Sequence, residues 1–294
     1  MNDKVVKIEK ASRPLIGSFE VPGDKSISHR AAIIASLAMG ESTIDNYAPG
    51  ADCQSTINCL KALGVKVTSE AGGKKVVVKG KGLGGYIEPN DVLDAGNSGT
   101  TMRLMSGVLA GNDIFTVITG DGSLKNRPMG RVVDPLRSMG ADIRGRHGGK
   151  YAPLAINGGN LKGKRHMLFT SSAQVKSCVL LAGLFAEGQT TVIVPEQSRD
   201  HTERLLHYTG VGIAKEDLSI SVGGPGMRRE PKPFMLTVPG DLSSAAFLLA
   251  AASIVPGSSV KGFNVGVNPT RTGFLDVMGR MGASMEIFEL KSSG

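Results

Sequence analysis

The chain of 294 residues has no tryptophan, and phenylalanine and tyrosine together are sparse, so the aromatic platforms on which single-stranded nucleic acids stack are in short supply. Cysteine is equally rare. Cys53, Cys59 and Cys178 make an odd set without a C-x-x-C pair, and the five histidines show no ligand-like spacing. Neither a disulfide framework nor a zinc site is supported, and no metal is expected. Long apolar runs are missing as well: the longest, Ala245 to Val255, is too short to span a bilayer and reads as a buried helix. The opening MNDKVVKIEK lacks the apolar centre of a secretory signal. These absences point to a cytoplasmic protein that neither crosses nor binds a membrane.

Positive charge is present, with a formal net charge of +8. The basic residues are scattered singly, which suits small anionic ligands better than a nucleic-acid polymer. Forty glycines imply helices and strands that approach closely through small side chains. The length allows one large core or two smaller ones.

An internal repeat organises the chain. Gly40-Glu41-Ser42-Thr43-Ile44 recurs as Gly111 to Phe115, Gly188 to Val192 and Gly257 to Val260, and each copy follows an apolar helical stretch. A second phrase, Leu63-Gly64-Val65, recurs as Met139 to Ala141, Thr209 to Val211 and Met281 to Ala283 in the same order. The unit is an apolar helix, a β-rich run, an amphipathic helix closed by a C-cap glycine, then strands. Its helices open on small or polar residues suited to N-caps: Lys25 to Ser28, Asn97 to Thr100, Ser171 to Gln174 and Asp241 to Ser244. If the units pack side by side, several positive helix ends face one cleft.

The candidate chemistry collects at those openings. Pro22-Gly23-Asp24-Lys25-Ser26-Ile27-Ser28-His29-Arg30 runs into a helix expected over Ala31 to Met39 and carries a point charge on Lys25 and a guanidinium fork on Arg30. Asp94 to Thr101 sets Asn97, Gly99 and Thr100 before a helix expected over Met102 to Leu109. Arg127 precedes Pro128, which is expected to start the next helix and to hold Arg127 extended. Ser172, Ala173 and Gln174 open another helix, with Lys176 one turn in, and Ser198-Arg199 opens one running through Leu206. Two nucleotide motifs fail. Gly80 to Gly85 has the G-x-G-x-x-G spacing but is followed by Pro89 and polar residues, and Gly23-Asp24-Lys25-Ser26 lacks P-loop spacing.

Taken in order, Gly23 to Arg30, Gly96 to Arg103, Asp121 to Pro128, Ser172 to Gln174 and Asn268 to Gly273 resemble the 5-enolpyruvylshikimate-3-phosphate synthases of the enolpyruvyl transferase family, over essentially the whole chain. The resemblance implies an inside-out α/β fold of two domains built from six βαβαββ units, of which four are seen here. Residues 21–238 would form a complete three-unit substrate-binding domain, and 1–20 plus 239–294 part of a second. The chain is accordingly expected to be truncated at its C-terminal end, and turnover by these residues alone is not expected.

The implied reaction transfers the carboxyvinyl group of phosphoenolpyruvate to the 5-hydroxyl of shikimate 3-phosphate, in chorismate and aromatic amino acid biosynthesis, by a monomer that needs no cofactor. Lys25 would touch both substrates and take part in catalysis. Asn97, Gly99, Thr100, Arg127 and Gln174 would join it on phosphoenolpyruvate, and Ser26, Arg30, Ser172, Ala173, Gln174, Ser198 and Arg199 on shikimate 3-phosphate. The sister enzyme acting on UDP-N-acetylglucosamine typically has asparagine after the lysine and a catalytic cysteine where this chain has Leu124 to Pro128; Ser26 and the absence of cysteine there argue against it. A noncatalytic anion-binding or nucleic-acid-binding module is the third reading.

Overall fold

The computed structural model describes Lys7 and residues 9–290, and these divide into two units. The larger is residues 23–238, and the smaller joins the described residues up to Pro22 with those from Pro239 on. Of the part-domain expected over 1–20 and 239–294, residues 1–6, 8 and 291–294 lie outside the described residues.

After β1 (Ile16–Glu20), which belongs to the smaller unit, one pattern of elements occurs three times. The first copy holds α1 (Lys25–Leu37), β2 (Met39–Asp45), α2 (Ala51–Ala62), β3 (Lys66–Glu70) and β4 (Lys75–Lys81). The second holds β5 (Leu93–Asp94), α3 (Gly99–Gly111), β6 (Phe115–Thr119), α4 (Gly130–Ser138), β7 (Asp142–Gly145), the single turn α5 (Arg146–Gly149) and β8 (Tyr151–Asn157). The third holds β9 (Arg165–Met167), α6 (Ala173–Gly183), β10 (Thr190–Ile193), α7 (His201–Tyr208), β11 (Ile213–Glu216) and β12 (Ser219–Val222), and β13 (Met235–Thr237) ends the unit.

Each copy gives a four-stranded sheet of the same topology, β13-β2-β4-β3, β5-β6-β8-β7 and β9-β10-β12-β11, with one parallel pair beside two antiparallel pairings. The first copy borrows its opening strand from the far end of the unit, with Met235 opposite Thr43, so the chain returns to close the ring of repeats. β8 alternates buried and more exposed residues, as a strand with one wet face must. The first helix of each copy behaves differently. α1, α3 and α6 are buried on most sides, because Ala, Ile, Leu, Val, Met and Gly dominate them, so helices form the interior and sheets the outside. Glycine permits the closest of these approaches: a Cβ on Gly107 of α3 would fall 2.2 Å from the Cys178 carbonyl of α6.

In the smaller unit β1 pairs in parallel with β14 (Ser259–Phe263), and α8 (Leu242–Ile254) and α9 (Gly273–Arg280) complete the opening of a fourth copy. No closing hairpin follows among the described residues. Here one expectation is corrected. The apolar run Ala245 to Val255 is helical but largely uncovered: Phe247 is 80% and Ile254 78% exposed, and only Leu242 and Ala245 of α8 are buried. Two strands and one further helix supply too little apolar surface within that unit to enclose a helix that is apolar all round.

Candidate anion-binding site

Three helix starts build the site, and each is set by a side chain one residue ahead of it. Asp24 accepts from the Ile27 amide at 2.9 Å, Ser98 from Thr101 at 3.1 Å and Ser172 from Val175 at 3.4 Å. The cap takes the third amide in each case. The amides before it have no intrahelical acceptor and stand at the positive end of the dipole.

The caps also correct the expected boundaries. α1 begins at Lys25, not Ala31, and ends at Leu37, with Met39 opening β2; α3 begins at Gly99 and runs to Gly111. Lys25, Ser26, Gly99 and Thr100 therefore occupy first turns, not preceding loops. The polar run Ser26 to Arg30 hides the helix in the sequence because Ser28, His29 and Arg30 are themselves buried. Pro128 does not start the next helix: α4 opens at Gly130 behind Met129, although Arg127 is extended as expected, with φ −84° and ψ 139°. Ser198 and Arg199 lie in the segment before α7, which opens at His201 behind Asp200 and runs past Leu206 to Tyr208.

Hydrogen bonds tie these starts together. Lys25 Nζ meets Asp52 Oδ2 at 2.9 Å, and Arg199 donates to the Ser26 hydroxyl at 3.1 Å. Arg30 donates to Thr202 Oγ1 at 2.7 Å, Ser177 Oγ at 2.9 Å and the Ser26 carbonyl at 2.9 Å, linking α1 to α6 and α7. Gln174 donates to Thr100 Oγ1 at 2.9 Å and accepts from Arg103 at 2.6 Å, which joins the start of α6 to that of α3. Arg127 donates to the Asn97 side chain and, at 3.2 Å, to the Asn97 carbonyl, while Asn97 donates to Asp121 at 2.7 Å. No hydrogen bond joins Lys25 to Arg127 among the described residues; Thr101, which donates to the Asp52 carbonyl at 3.2 Å, connects their neighbourhoods.

Burial tunes the charges. Arg30 is pulled down to about 10 by desolvation, with nearby Arg199 adding to the shift and Glu203 opposing it, so it stays cationic at neutral pH. His29, buried beside Arg30 and Lys25, is pushed down to about 3 mainly by desolvation and is neutral. Burial is also the first cause lowering Arg103, followed by Arg131 and Arg127. The hydrogen bond from Asn97 is the first cause holding Asp121 below the ordinary carboxylate range. All three thiols are buried and pushed up to about 12, so none is a thiolate near neutrality. No cluster of His, Cys, Asp or Glu suited to a metal ion occurs among the described residues.

Asp52, Arg103 and Glu203 escaped the sequence reading as site residues, and Lys176 was noted one turn into its helix but given no role. Arg103 sits one turn into α3, and Lys176 is a lone charge inside an apolar stretch of α6; in each a cation within a buried helix was the available signal. Asp52 and Glu203 gave none, since acidic residues in a first helical turn are ordinary. The Asn268 to Gly273 motif lies in the smaller unit, where Arg271 donates to Ser243 Oγ at 2.5 Å and meets Asp241 at 3.4 Å. No helix of the described residues is long and apolar enough to cross a membrane.

Comparison with known proteins gives concordant results. The family model for EPSP synthase (3-phosphoshikimate 1-carboxyvinyltransferase) matches residues 9–292. The chain is 53% identical over 275 residues to the 3-phosphoshikimate 1-carboxyvinyltransferase of Bacillus licheniformis, covering 94% of this chain and 63% of the relative. It is 53% identical over 280 residues to the protein of that name from Pelotomaculum thermopropionicum, covering 95% and 64%. A solved EPSP synthase from Acinetobacter baumannii superposes with a TM-score of 0.88 at 41% identity, over 96% of this chain and 62% of that one. The chain thus spans just under two thirds of the length of the relatives it matches.

Proposed function

This chain belongs to the EPSP synthase family, and we propose that its larger unit binds shikimate 3-phosphate and phosphoenolpyruvate for carboxyvinyl transfer. In that reaction the vinyl carbon of phosphoenolpyruvate takes up a proton and the 5-hydroxyl oxygen attacks the adjoining carbon. The resulting tetrahedral intermediate expels phosphate and loses a methyl proton to regenerate the vinyl group. The demand is for proton transfer and for stabilisation of dense negative charge, which fixed cations and helix N-termini supply. Lys25 is the group proposed to serve both substrates. Ser26, Arg30, Ser172, Ala173, Gln174, Ser198 and Arg199 would hold shikimate 3-phosphate, and Asn97, Gly99, Thr100, Arg127 and Gln174 phosphoenolpyruvate.

One observation carries this reading: Gln174 bonds the start of α3 through Thr100 while standing on the start of α6, so the two anion-binding groups share a residue. The thiols argue against the sister reaction on UDP-N-acetylglucosamine, because none is exposed or ionisable near neutral pH. Calorimetric titration of the chain with shikimate 3-phosphate tests the proposal. Saturable binding, weakened by about tenfold or more in Lys25→Met through loss of a charge-assisted contact, is the expected result. Binding of UDP-N-acetylglucosamine in its place, or binding indifferent to Lys25, overturns it. A salt-sensitive gel shift with DNA or RNA in the absence of sugar-phosphate binding would support the nucleic-acid reading instead.

Gly99 offers a sharper test of the second subsite. A Cβ there would stand 2.9 Å from an Arg103 guanidinium nitrogen and 3.5 Å from one of Arg127, so Gly99→Ala displaces the ends of flexible side chains, not backbone. Stability should change by under about 1 kcal/mol, while phosphoenolpyruvate binding weakens by about tenfold and shikimate 3-phosphate binding stays within about threefold. Equal effects on both ligands, measured in parallel titrations, would place the subsite elsewhere.

A further inference from the structure

Among the described residues Lys176 is the largest side chain that is fully buried, and an ammonium without water around it is costly unless it is paired. Its partner is Glu203 Oε1 at 2.5 Å, itself buried, on the first turn of α7. The same ammonium reaches the Ser198 carbonyl at 3.4 Å. Lys176 is also part of the first turn of α6, where its amide donates to the Ser172 carbonyl at 3.0 Å. One side chain thus joins the helix start carrying Ser172 to Gln174 both to the irregular segment that carries Ser198 and Arg199 and to α7, which follows it.

Stability gives no reason for such a pair, since well-packed apolar residues of similar volume commonly serve as well or better in a buried position. What an apolar pair cannot supply is direction. An ammonium donates along defined axes to a carboxylate on one side of Arg199 and a carbonyl on the other, which fixes a stretch without regular secondary structure. Gln197 Nε2 also approaches the Ser198 carbonyl at 3.4 Å, but from within that segment, so it cannot tie the segment to α6. The Ser198 hydroxyl is buried and makes no hydrogen bond among the described residues, and its own side chain therefore does not anchor it.

We infer that Lys176 is a positioning residue: paired with Glu203, it sets where Ser198 and Arg199 stand relative to the start of α6 for a phosphorylated ligand. The inference rests on the proposed reading of the site and adds a residue that touches no ligand.

The test compares the parent chain with Lys176→Met/Glu203→Leu, which removes both charges together and leaves neither buried alone. Amide hydrogen exchange reads the segment 196–200 directly, and titration with shikimate 3-phosphate reads its consequence. Exchange at 196–200 should rise by about tenfold or more while the strands of the three sheets keep their protection. Affinity for shikimate 3-phosphate should fall by about tenfold, as expected for a loosened positioning element. Should the double variant fail to fold, Glu203→Gln, which keeps the shape and removes one charge, is read in the same exchange window. Exchange at 196–200 that matches the parent, or that rises only in step with the whole unit, overturns the inference whatever the ligand does. A parent chain that binds no shikimate 3-phosphate overturns the reading of the site, and the exchange result then decides the structural role of Lys176 by itself.

Discussion

Arg30→Ala is expected to destabilise the larger unit by about 2–4 kcal/mol, from the lost hydrogen bonds of a buried guanidinium and the cavity that its removal opens. Arg30 is 3% exposed, and its guanidinium donors reach Thr202, Ser177 and the Ser26 carbonyl. Alanine leaves those acceptors without their donor and opens a cavity between α1, α6 and α7. The Ser177 and Thr202 hydroxyls still pair with each other at 2.6 Å, which keeps the cost toward the lower end. Arg30→Lys keeps the charge but replaces a planar fork by one ammonium, and it should recover part of the loss and not all of it. Denaturant unfolding of both variants measures this directly. A loss under about 1 kcal/mol for alanine would show that the network is not maintained in solution.

Acidification should produce a second large effect through His29. Its folded value is about 3 against 6.5 unperturbed, so the unfolded chain binds a proton that the native state refuses. A base lowered in this way contributes no penalty well above 6.5. Stability then falls as pH drops below 6.5, and the fall continues until about 3. Between pH 7.5 and 5 the loss is about 2 kcal/mol from this residue, since each unit of difference is worth about 1.4 kcal/mol. The charged groups around it are Arg30 and Lys25, which oppose protonation, and Asp52, which favours it. His29 Nδ1 is held by Thr56 Oγ1 at 2.7 Å, so His29→Asn keeps a polar partner there without a titrating group. The variant should show a flatter stability profile over that interval. A profile as steep as the parent's would assign the proton to another group, of which His166 is the next candidate because burial lowers it too.

The repeat was legible because glycine punctuates it at fixed places. Gly64, Gly140 and Gly210 each end an amphipathic helix with positive φ, and the three sheets that follow share one topology. Most residues proposed for the site were legible for a similar reason, since Lys25, Ser26, Gly99, Thr100, Ala173 and Gln174 stand in first turns behind an N-cap side chain, whereas Arg127, Ser198 and Arg199 precede helices that no side chain caps. What stayed hidden was burial. A polar run such as Ser26 to Arg30 reads as an approach to a helix when its side chains are expected in water, yet here they are part of the helix and lie inside. The converse held for α8, whose apolar sequence promised a core position that the smaller unit does not provide. Periodicity reports which residues a helix carries, whereas burial depends on what is packed against it.

The central claim is that the starts of α1, α3 and α6 form one binding region for two small anions. A crystal structure of the chain soaked with shikimate 3-phosphate at saturating concentration tests it most directly. The account predicts the ligand in contact with Lys25, Ser26 and Arg199 and with the first turn of α6 at Ser172 to Gln174, with the Arg127 side of the region still open. Density for the ligand on another surface, with these helix starts vacant, would contradict it.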